Sequence, residues 1–535
     1  MNPVKKTKKQ YFVNLIFPAF IFGSLTGILS AAIIMLYKLC ANHIIHFSES
    51  GYAYLRGRVY LIPVIVALLF GLALLFAFFY KKSSNLQGGG IPTSIGILRG
   101  AISFHWLRNL IGVFFLSLTA FFVGVPLGNE GPSVQMGTAV GKGSIACLAK
   151  NRRAWDRYAM TGGACAGFSI ATGAPISGML FGIEEAHQRI SPMIMIVSAT
   201  SVVFAHLTAQ ILSPLLGVSA SLFPTLSLPT LTVKHIWIPV VIGIAVGLFA
   251  VLFLKYYKLL NKFWNEKTER LPHAVKIFLI FLATLLLGVC SFSFISTGHE
   301  LILTLFDGKI SAYMLVLILL VRSSLTLSAN SNRITGGIFL PILALGAVFS
   351  AILGRVLELI PGIGAEYYPM ILALGITACI SAMMKMPLTA IVFAIEALSC
   401  YNNIFYVITV SAAAFIITEI FEVTSINDSV LDNRIEKQNR GKELKVIDTF
   451  ITVQKDSFAV GKQIRDIFWP ANLFVLSLKR GENHGAEVDE HGTKAISEGD
   501  IIHVRYSTYD EPQTREEIIA IVGEQEYIET ETDVV

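Results

Sequence analysis

Long apolar runs dominate the chain, at about 11–40, 58–80, 105–127, 192–214, 236–260, 274–297 and 403–421. A helix of roughly 20 apolar residues spans the bilayer core, and each run approaches or exceeds that length. The pattern predicts a polytopic α-helical membrane protein. Elsewhere the apolar sequence is cut by Gly and Pro: Gln87-Gly-Gly-Gly-Ile-Pro-Thr-Ser94, Gly124-Val-Pro-Leu-Gly-Asn-Glu-Gly-Pro132, Met160-Thr-Gly-Gly-Ala-Cys-Ala-Gly167 and Ala174-Pro-Ile-Ser-Gly178. Three glycines before Ile91-Pro92 predict a tight turn opening a short helix. The segments after 160 read as too interrupted for uniform helices, a mark of repeat-built transporters.

An internal repeat follows from alignment of the chain with itself. Ala174-Pro-Ile-Ser-Gly-Met-Leu-Phe-Gly-Ile-Glu-Glu185 matches Met386-Pro-Leu-Thr-Ala-Ile-Val-Phe-Ala-Ile-Glu-Ala397 at an offset of about 212. Gly128-Asn-Glu-Gly-Pro132 matches Gly337-Ile-Phe-Leu-Pro341 at about 209. The membrane region therefore reads as two related halves.

Past residue 432 the pattern changes. Roughly a third of the residues are charged, against about a tenth before. Strand-like runs fall at Val446–Val453, Leu473–Leu478, Ile501–Tyr506 and Glu517–Val522, with a short helix predicted over Val460–Phe468 and turns at Glu482-Asn-His-Gly485 and Glu498-Gly-Asp500. The expected organisation is a basic N-terminus over 1–10, a membrane domain over 11–431 and a small soluble α+β domain over 432–535. The last has no nucleotide-binding motif.

Composition agrees with this division. Hydrophobic residues make up 54 % and charged ones 15 %, and mean hydropathy is +0.65. Lys5, Lys6, Lys8 and Lys9 precede the first span, and Lys81 and Lys82 follow the second. Both clusters favour the cytoplasmic side of a cell (plasma or inner) membrane, which places the N-terminus there, and an even number of spans places the C-terminus there too. The first run is too long for a cleavable signal peptide. The net charge of +6 reports topology, and no nucleic-acid partner is expected. Six cysteines form no C-x-x-C pair, so neither disulfides nor metal are expected, and no cofactor is.

The candidate chemistry centres on Glu130. An ionisable group within apolar sequence is costly and is a functional candidate by default. Gly128, Gly131 and Pro132 break the helix there and start another, whose free N–H groups attract anions. No enzyme is expected: His299-Glu300 does not complete H-E-x-x-H, and Ala174-Pro-Ile-Ser-Gly178 is not a nucleophile elbow. The enzyme is the main rival of a different class, and a membrane-embedded sensor without transport stays open beside it.

Gly88-Gly-Gly-Ile-Pro92, Gly128-Asn-Glu-Gly-Pro132 and Gly337-Ile-Phe-Leu-Pro341, in that order and spacing, closely resemble the signature motifs of the chloride channel/transporter (CLC) family over about residues 11–431. The resemblance implies an inverted two-repeat architecture with broken helices, a homodimer with one pore per subunit, and a monovalent anion, chloride first, held by backbone N–H groups. It implies Glu130 as external gate and proton carrier, and Glu185 as the internal glutamate of exchangers. The implied anion-binding set is Gly89, Gly90, Ile91, Asn129, Gly131, Ile338, Phe339 and Asn427. Three residues depart from the family pattern: Gly89 replaces Ser, Asn129 replaces Arg, and Asn427 in Ser425-Ile-Asn-Asp-Ser429 stands where a Tyr is common. Two hydroxyl ligands are thereby lost. The implied activity is anion/proton antiport, with a passive channel or a fluoride/proton antiporter as alternatives. Asn129 favours the fluoride branch and Pro132 argues against it. The tail resembles a TrkA-C-type (RCK C-terminal) regulatory domain through Gly461-Lys-Gln-Ile-Arg-Asp466, Lys479-Arg-Gly481 and Glu498-Gly-Asp-Ile-Ile-His-Val504. That resemblance implies a small-molecule effector.

Overall fold

The computed structural model describes residues 16–148, 153–308, 310–361, 363–439, 441–480, 492–524 and 528–534. The basic residues at 5–9 and the turn at 482–485 lie outside them. The first half comprises α1 (Phe17–Arg56), α2 (Ile62–Lys82), α3 (Ile91–Leu98), α4 (Trp106–Val123), α5 (Glu130–Leu148), α6 (Asp156–Thr172), α7 (Pro175–Phe181, continued by a π-turn to His187) and α8 (Pro192–Leu216). The second comprises α9 (Trp237–Lys262), α10 (His273–Cys290), α11 (His299–Phe306), α12 (Ala312–Ser331), α13 (Phe339–Leu357), α14 (Tyr368–Met384), α15 (Pro387–Ala397), α16 (Ile404–Ile420) and α17 (Ile426–Asn439).

Among the described residues, ten helices are long and apolar enough to cross a membrane. This is a multi-pass membrane protein of mostly helical fold. The sequence pattern did not mark α12, α13 or α14 as spans. Arg322 interrupts α12, while small residues and a proline dilute the other two. α14 is also buried along its whole length, so it carries no lipid-facing stripe.

Where the chain breaks, the cause is local. Gly88 and Gly90 sit at φ +92° and +76°, which only glycine adopts without strain. Ile91-Pro92 then opens α3 with the proline in its first turn. α4 stops at Gly124, φ +84°, and the helix restarts at Glu130. The predicted break around Glu130 is therefore present. The interruption expected over 160–167 is not, because α6 is continuous. Its glycines serve packing instead: a Cβ on Gly163 would lie 2.0 Å from the carbonyl oxygen of Gly137 in α5, and one on Gly167 2.4 Å from that of Ser133. Such backbone contact is typical of small residues between membrane helices.

The tail forms a four-stranded antiparallel sheet, β1 (Lys445–Thr452), β2 (Leu473–Lys479), β3 (Ile501–Thr508) and β4 (Ile528–Val534), in the order β2-β3-β1-β4. Alternate residues Ile447, Thr449 and Ile451 of β1 turn inward, as period-two burial requires. They meet Ile502, Val504 and Tyr506 of β3 and the inner face of α18 (Glu511–Val522). Two expectations fail here. The run 517–522 is helical, because Asp510 caps the Gln513 amide and Pro512 occupies the first turn. The segment 460–468 is not a helix beyond the single turn Ile464–Asp466; Gly461 enters it at φ +79°. β4 escaped the sequence pattern because its charges mask the alternation. α17 runs through position 432, so the change in composition precedes the structural joint.

Candidate functional site

Three loop-to-helix junctions meet at one point. A Cβ on Gly90 would stand 2.1 Å from the carbonyl oxygen of Gly131, and one on Gly131 2.0 Å from that of Gly89. One on Gly337 would be 2.6 Å from the Gly131 nitrogen. Gly128 N–H donates to Gly337 O at 2.6 Å and Gly337 N–H to Gly128 O at 2.8 Å, a reciprocal pair that locks two loops edge to edge. The structure thus gathers Gly89, Gly90, Ile91, Asn129, Glu130, Gly131, Ile338 and Phe339. Here α5 and α13 begin, and their first-turn N–H groups have no intrahelical acceptor.

Glu130 lies within this knot and is 0 % exposed. Its carboxylate sits over Gly128, where a Cβ would come within 2.3 Å of it, and faces the amide of Leu340 and its own. Among the described residues neither carboxylate oxygen completes a hydrogen bond of normal geometry. A buried carboxylate without a formed partner is costly. Here the helix ends partly offset that cost: a negative oxygen lies at the start of α13, where an anion would lie. The Phe339 ring turns away to pack edge-on against Phe168 and Phe393 at 5.0 and 5.5 Å. Position 339 therefore offers the site its backbone. Asn129 opens onto a cavity of about 590 Å³, with Lys38 and Arg322 also in its lining.

Glu185 is 2 % exposed, in the π-turn that ends α7. Asn427 donates from Nδ2 to Glu185 Oε1 at 2.9 Å, while Asn427 Oδ1 has no partner among the described residues. Asn427 was expected at the inner side of the anion site. Its amide nitrogen engages the second glutamate. Arg99 binds this region together, donating to the carbonyls of Glu185 and Ala186 and to Asp428 at 2.9, 3.1 and 3.1 Å. Glu184, adjacent in sequence, faces elsewhere and caps α15 through the amides of Leu388 and Thr389 at 2.9 and 2.7 Å.

The far end of the Glu185 turn meets the tail. Phe468 stacks on His187 at 4.5 Å and lies under Arg189. Tyr158 donates to the Asp466 carbonyl. Ser191 donates to the Asp466 carboxylate at 3.0 Å, and Arg157 reaches the Trp469 carbonyl and Glu517. Burial pushes the Asp466 carboxyl above its ordinary range, with Ser191 partly opposing.

Sequence reasoning missed Lys38, Arg322, Arg99 and Arg434. The first two are cations inside apolar runs, the signal that singled out Glu130. Arg434, buried near the end of α17, donates to Thr93, Asn85 and the Ser84 carbonyl. It staples α17 beside the three-glycine loop. Nothing local in the sequence points to that contact.

A model of the voltage gated chloride channel family matches residues 70–419. The fold is similar to that of a slow cyanobacterial Cl-/H+ antiporter, at TM-score 0.69 and 23 % identity, over 79 % of this chain and 99 % of that one. A eukaryotic CLC transporter matches at 0.64 and 17 %, over 78 % and 74 %. A CLC-type fluoride/proton antiporter matches at 0.61 and 18 %, over 76 % and 96 %.

Proposed function

Because the chain belongs to the voltage-gated chloride channel family, we propose that it exchanges a monovalent anion, chloride first, for protons. The observation that carries this reading is the Glu130 carboxylate, buried and without a completed hydrogen bond, at the start of α13. When ionised, it competes with the anion for the N–H groups of Ile338, Phe339 and Leu340. When protonated, it loses that attraction, leaves the site to the anion and carries its proton outward. Gly89, Gly90, Ile91 and Gly131 complete the wall. Backbone donors suit this task because they hold an anion weakly enough for release. Glu185 hands protons to and from the inner side, with Asn427 fixing its orientation.

Fluoride is the second reading for the anion. Asn129 and Asn427 favour it: both are amides where the family commonly has other groups, and one of the similar folds is a fluoride/proton antiporter. Reconstituted protein tested with chloride, nitrate and fluoride, with pH recorded simultaneously, separates these readings. Chloride flux without proton movement identifies a passive channel, and silence with all three anions leaves the sensor reading.

The membrane domain ends with α17, and the tail is assigned a regulatory role of TrkA-C type, answering to a small molecule. Support comes from the seat of Phe468 against the Glu185 turn. The tail-docking face also carries Arg99, Arg157 and Arg189, as a cytoplasmic face does. The start of α1 shares a core cluster with Phe468, which supports reading the start of α1 and the tail as lying on the same, cytoplasmic side. The functional unit is a homodimer in the cell membrane. Removing residues 442–535 should leave anion flux measurable at an altered rate; complete loss in a folded, dimeric protein would refute this division.

A further inference from the structure

Lys38 lies midway along α1 in an apolar stretch and is 5 % exposed. An ammonium in such a place is retained only where something makes use of it. Its Nζ donates to the carbonyls of Ile170 and Ser219 at 3.1 and 3.2 Å. Both acceptors are neutral, so the charge is solvated but not cancelled. Three N–H bonds against two acceptors leave one donor without a partner among the described residues.

That side chain lines the cavity onto which Asn129 and Leu340 open, and it interacts electrostatically with Glu130. Arg322 lines the same space, and its Nε has no hydrogen-bond partner among the described residues. Its Nη1 and Nη2 donate to the carbonyls of Ser293, Ile295 and Ser296 and hold the 293–296 loop. The acidic residues of the lining, Glu49 and Glu300, are exposed at its rim. The cavity therefore carries negative charge at the mouth and, deeper in, two cations whose hydrogen-bond acceptors are neutral carbonyls, of which Lys38 is the one that interacts with the Glu130 carboxylate.

We propose that Lys38 is a binding residue of the outer anion-entry site: its free N–H holds an incoming monovalent anion next to Glu130 before the gate clears. This rests on the anion-transport reading. The competing role, a tether between α6 and the 217–222 loop, needs only a hydrogen-bond donor. Lys38→Gln keeps donors and removes the charge, and so separates the two. Asn129 shares the cavity, so Asn129→Arg restores a cation to it from another element.

The experiment measures initial chloride uptake against external chloride in vesicles bearing the full-length protein. Lys38→Gln should raise the half-saturating concentration roughly tenfold, about the worth of one charge-assisted hydrogen bond, with the maximal rate little changed. Adding Asn129→Arg should recover most of that loss. Half-saturation unchanged in Lys38→Gln, or a loss that Asn129→Arg does not recover, would overturn the assignment. If Lys38→Gln does not fold, Asn129→Arg alone decides. An added cation in an anion-collecting space should lower half-saturation, and no change would overturn the assignment. Silent wild-type vesicles would overturn the transport reading itself, and this inference with it.

Discussion

The two halves of the membrane domain keep one set of positions alike and let another diverge. Glu184, at the end of the α7 segment, caps α15 through Leu388 and Thr389. Glu396, its repeat equivalent, caps α7 through Ile176 and Ser177 at 2.8 and 2.9 Å. Gly128 and Gly337 exchange backbone bonds in the same reciprocal way. Each pair maps onto itself under one two-fold relation, as repeats packed against each other require. These positions build the scaffold. Glu130, however, corresponds to Phe339, and Glu185 to Ala397. Both carboxylates assigned to proton handling belong to the first half, and the second half puts apolar groups in their places. Symmetry marks structure here, and its loss marks chemistry.

The largest expected effect breaks the asymmetry. Glu130→Gln should abolish proton movement while anion flux persists, because the helix-end N–H groups remain. Phe339→Leu should leave proton coupling intact and lose about 1 kcal/mol of stability from the aromatic contacts. Coupled flux read by a pH electrode distinguishes them; wild-type proton transport in Glu130→Gln would mean that the gate is misassigned.

The symmetric pair should behave symmetrically. Glu184→Gln and Glu396→Gln each weaken a charged helix cap and should each cost about 1–2 kcal/mol in thermal or denaturant unfolding. Neither should uncouple transport. A selective loss of coupling in Glu184→Gln would show that this position, too, belongs to the proton path.

A smaller effect concerns the missing hydroxyls. A Cβ on Gly89 meets only ordinary contacts, the nearest at 3.5 Å, so Gly89→Ser fits. Combined with Asn427→Tyr it should tighten chloride binding by about 1 kcal/mol, since water screens part of each new donor. Calorimetric titration that shows no gain would mean that neither position faces the ion.

The smallest lies at the tail joint. Burial holds the Asp466 carboxyl above its unfolded-state value, so the docked tail holds the proton more tightly. The folded, docked tail should gain stability against unfolding as pH falls through the raised value and lose it as pH rises through that value. Protease accessibility of the tail against pH should show that slope in wild type and a flat profile in Asp466→Asn.

Much of the fold and of the site is legible in the amino-acid sequence itself. Glu130 stands out because a carboxylate between glycines in apolar sequence is too costly to keep unless the group is used. The repeat is visible because Pro, Phe, Ile and Glu recur at one offset. What stays hidden depends on contacts between distant segments. Lys38 carries the same signal as Glu130, a charge inside apolar sequence, but its partners appear only when α6 and the 217–222 loop supply their carbonyls. Asn427 reads as part of the anion path alone, because nothing in Ser425–Ser429 indicates that Glu185 lies 2.9 Å away. The strand expected at 517–522 fails for a local reason: the apolar run is shorter than a helical period can distinguish, and Asp510-Glu-Pro512 decides it.

The central claim is that one half carries the proton and both halves hold the anion. Vesicles containing the protein, loaded with chloride and diluted into low-chloride medium at equal pH with the voltage clamped, test it most directly. Outward chloride flow should pull protons inward and alkalinise the medium against a growing pH gradient, while Glu130→Gln vesicles release chloride with no pH change. Chloride release from wild-type vesicles at constant external pH would contradict the account.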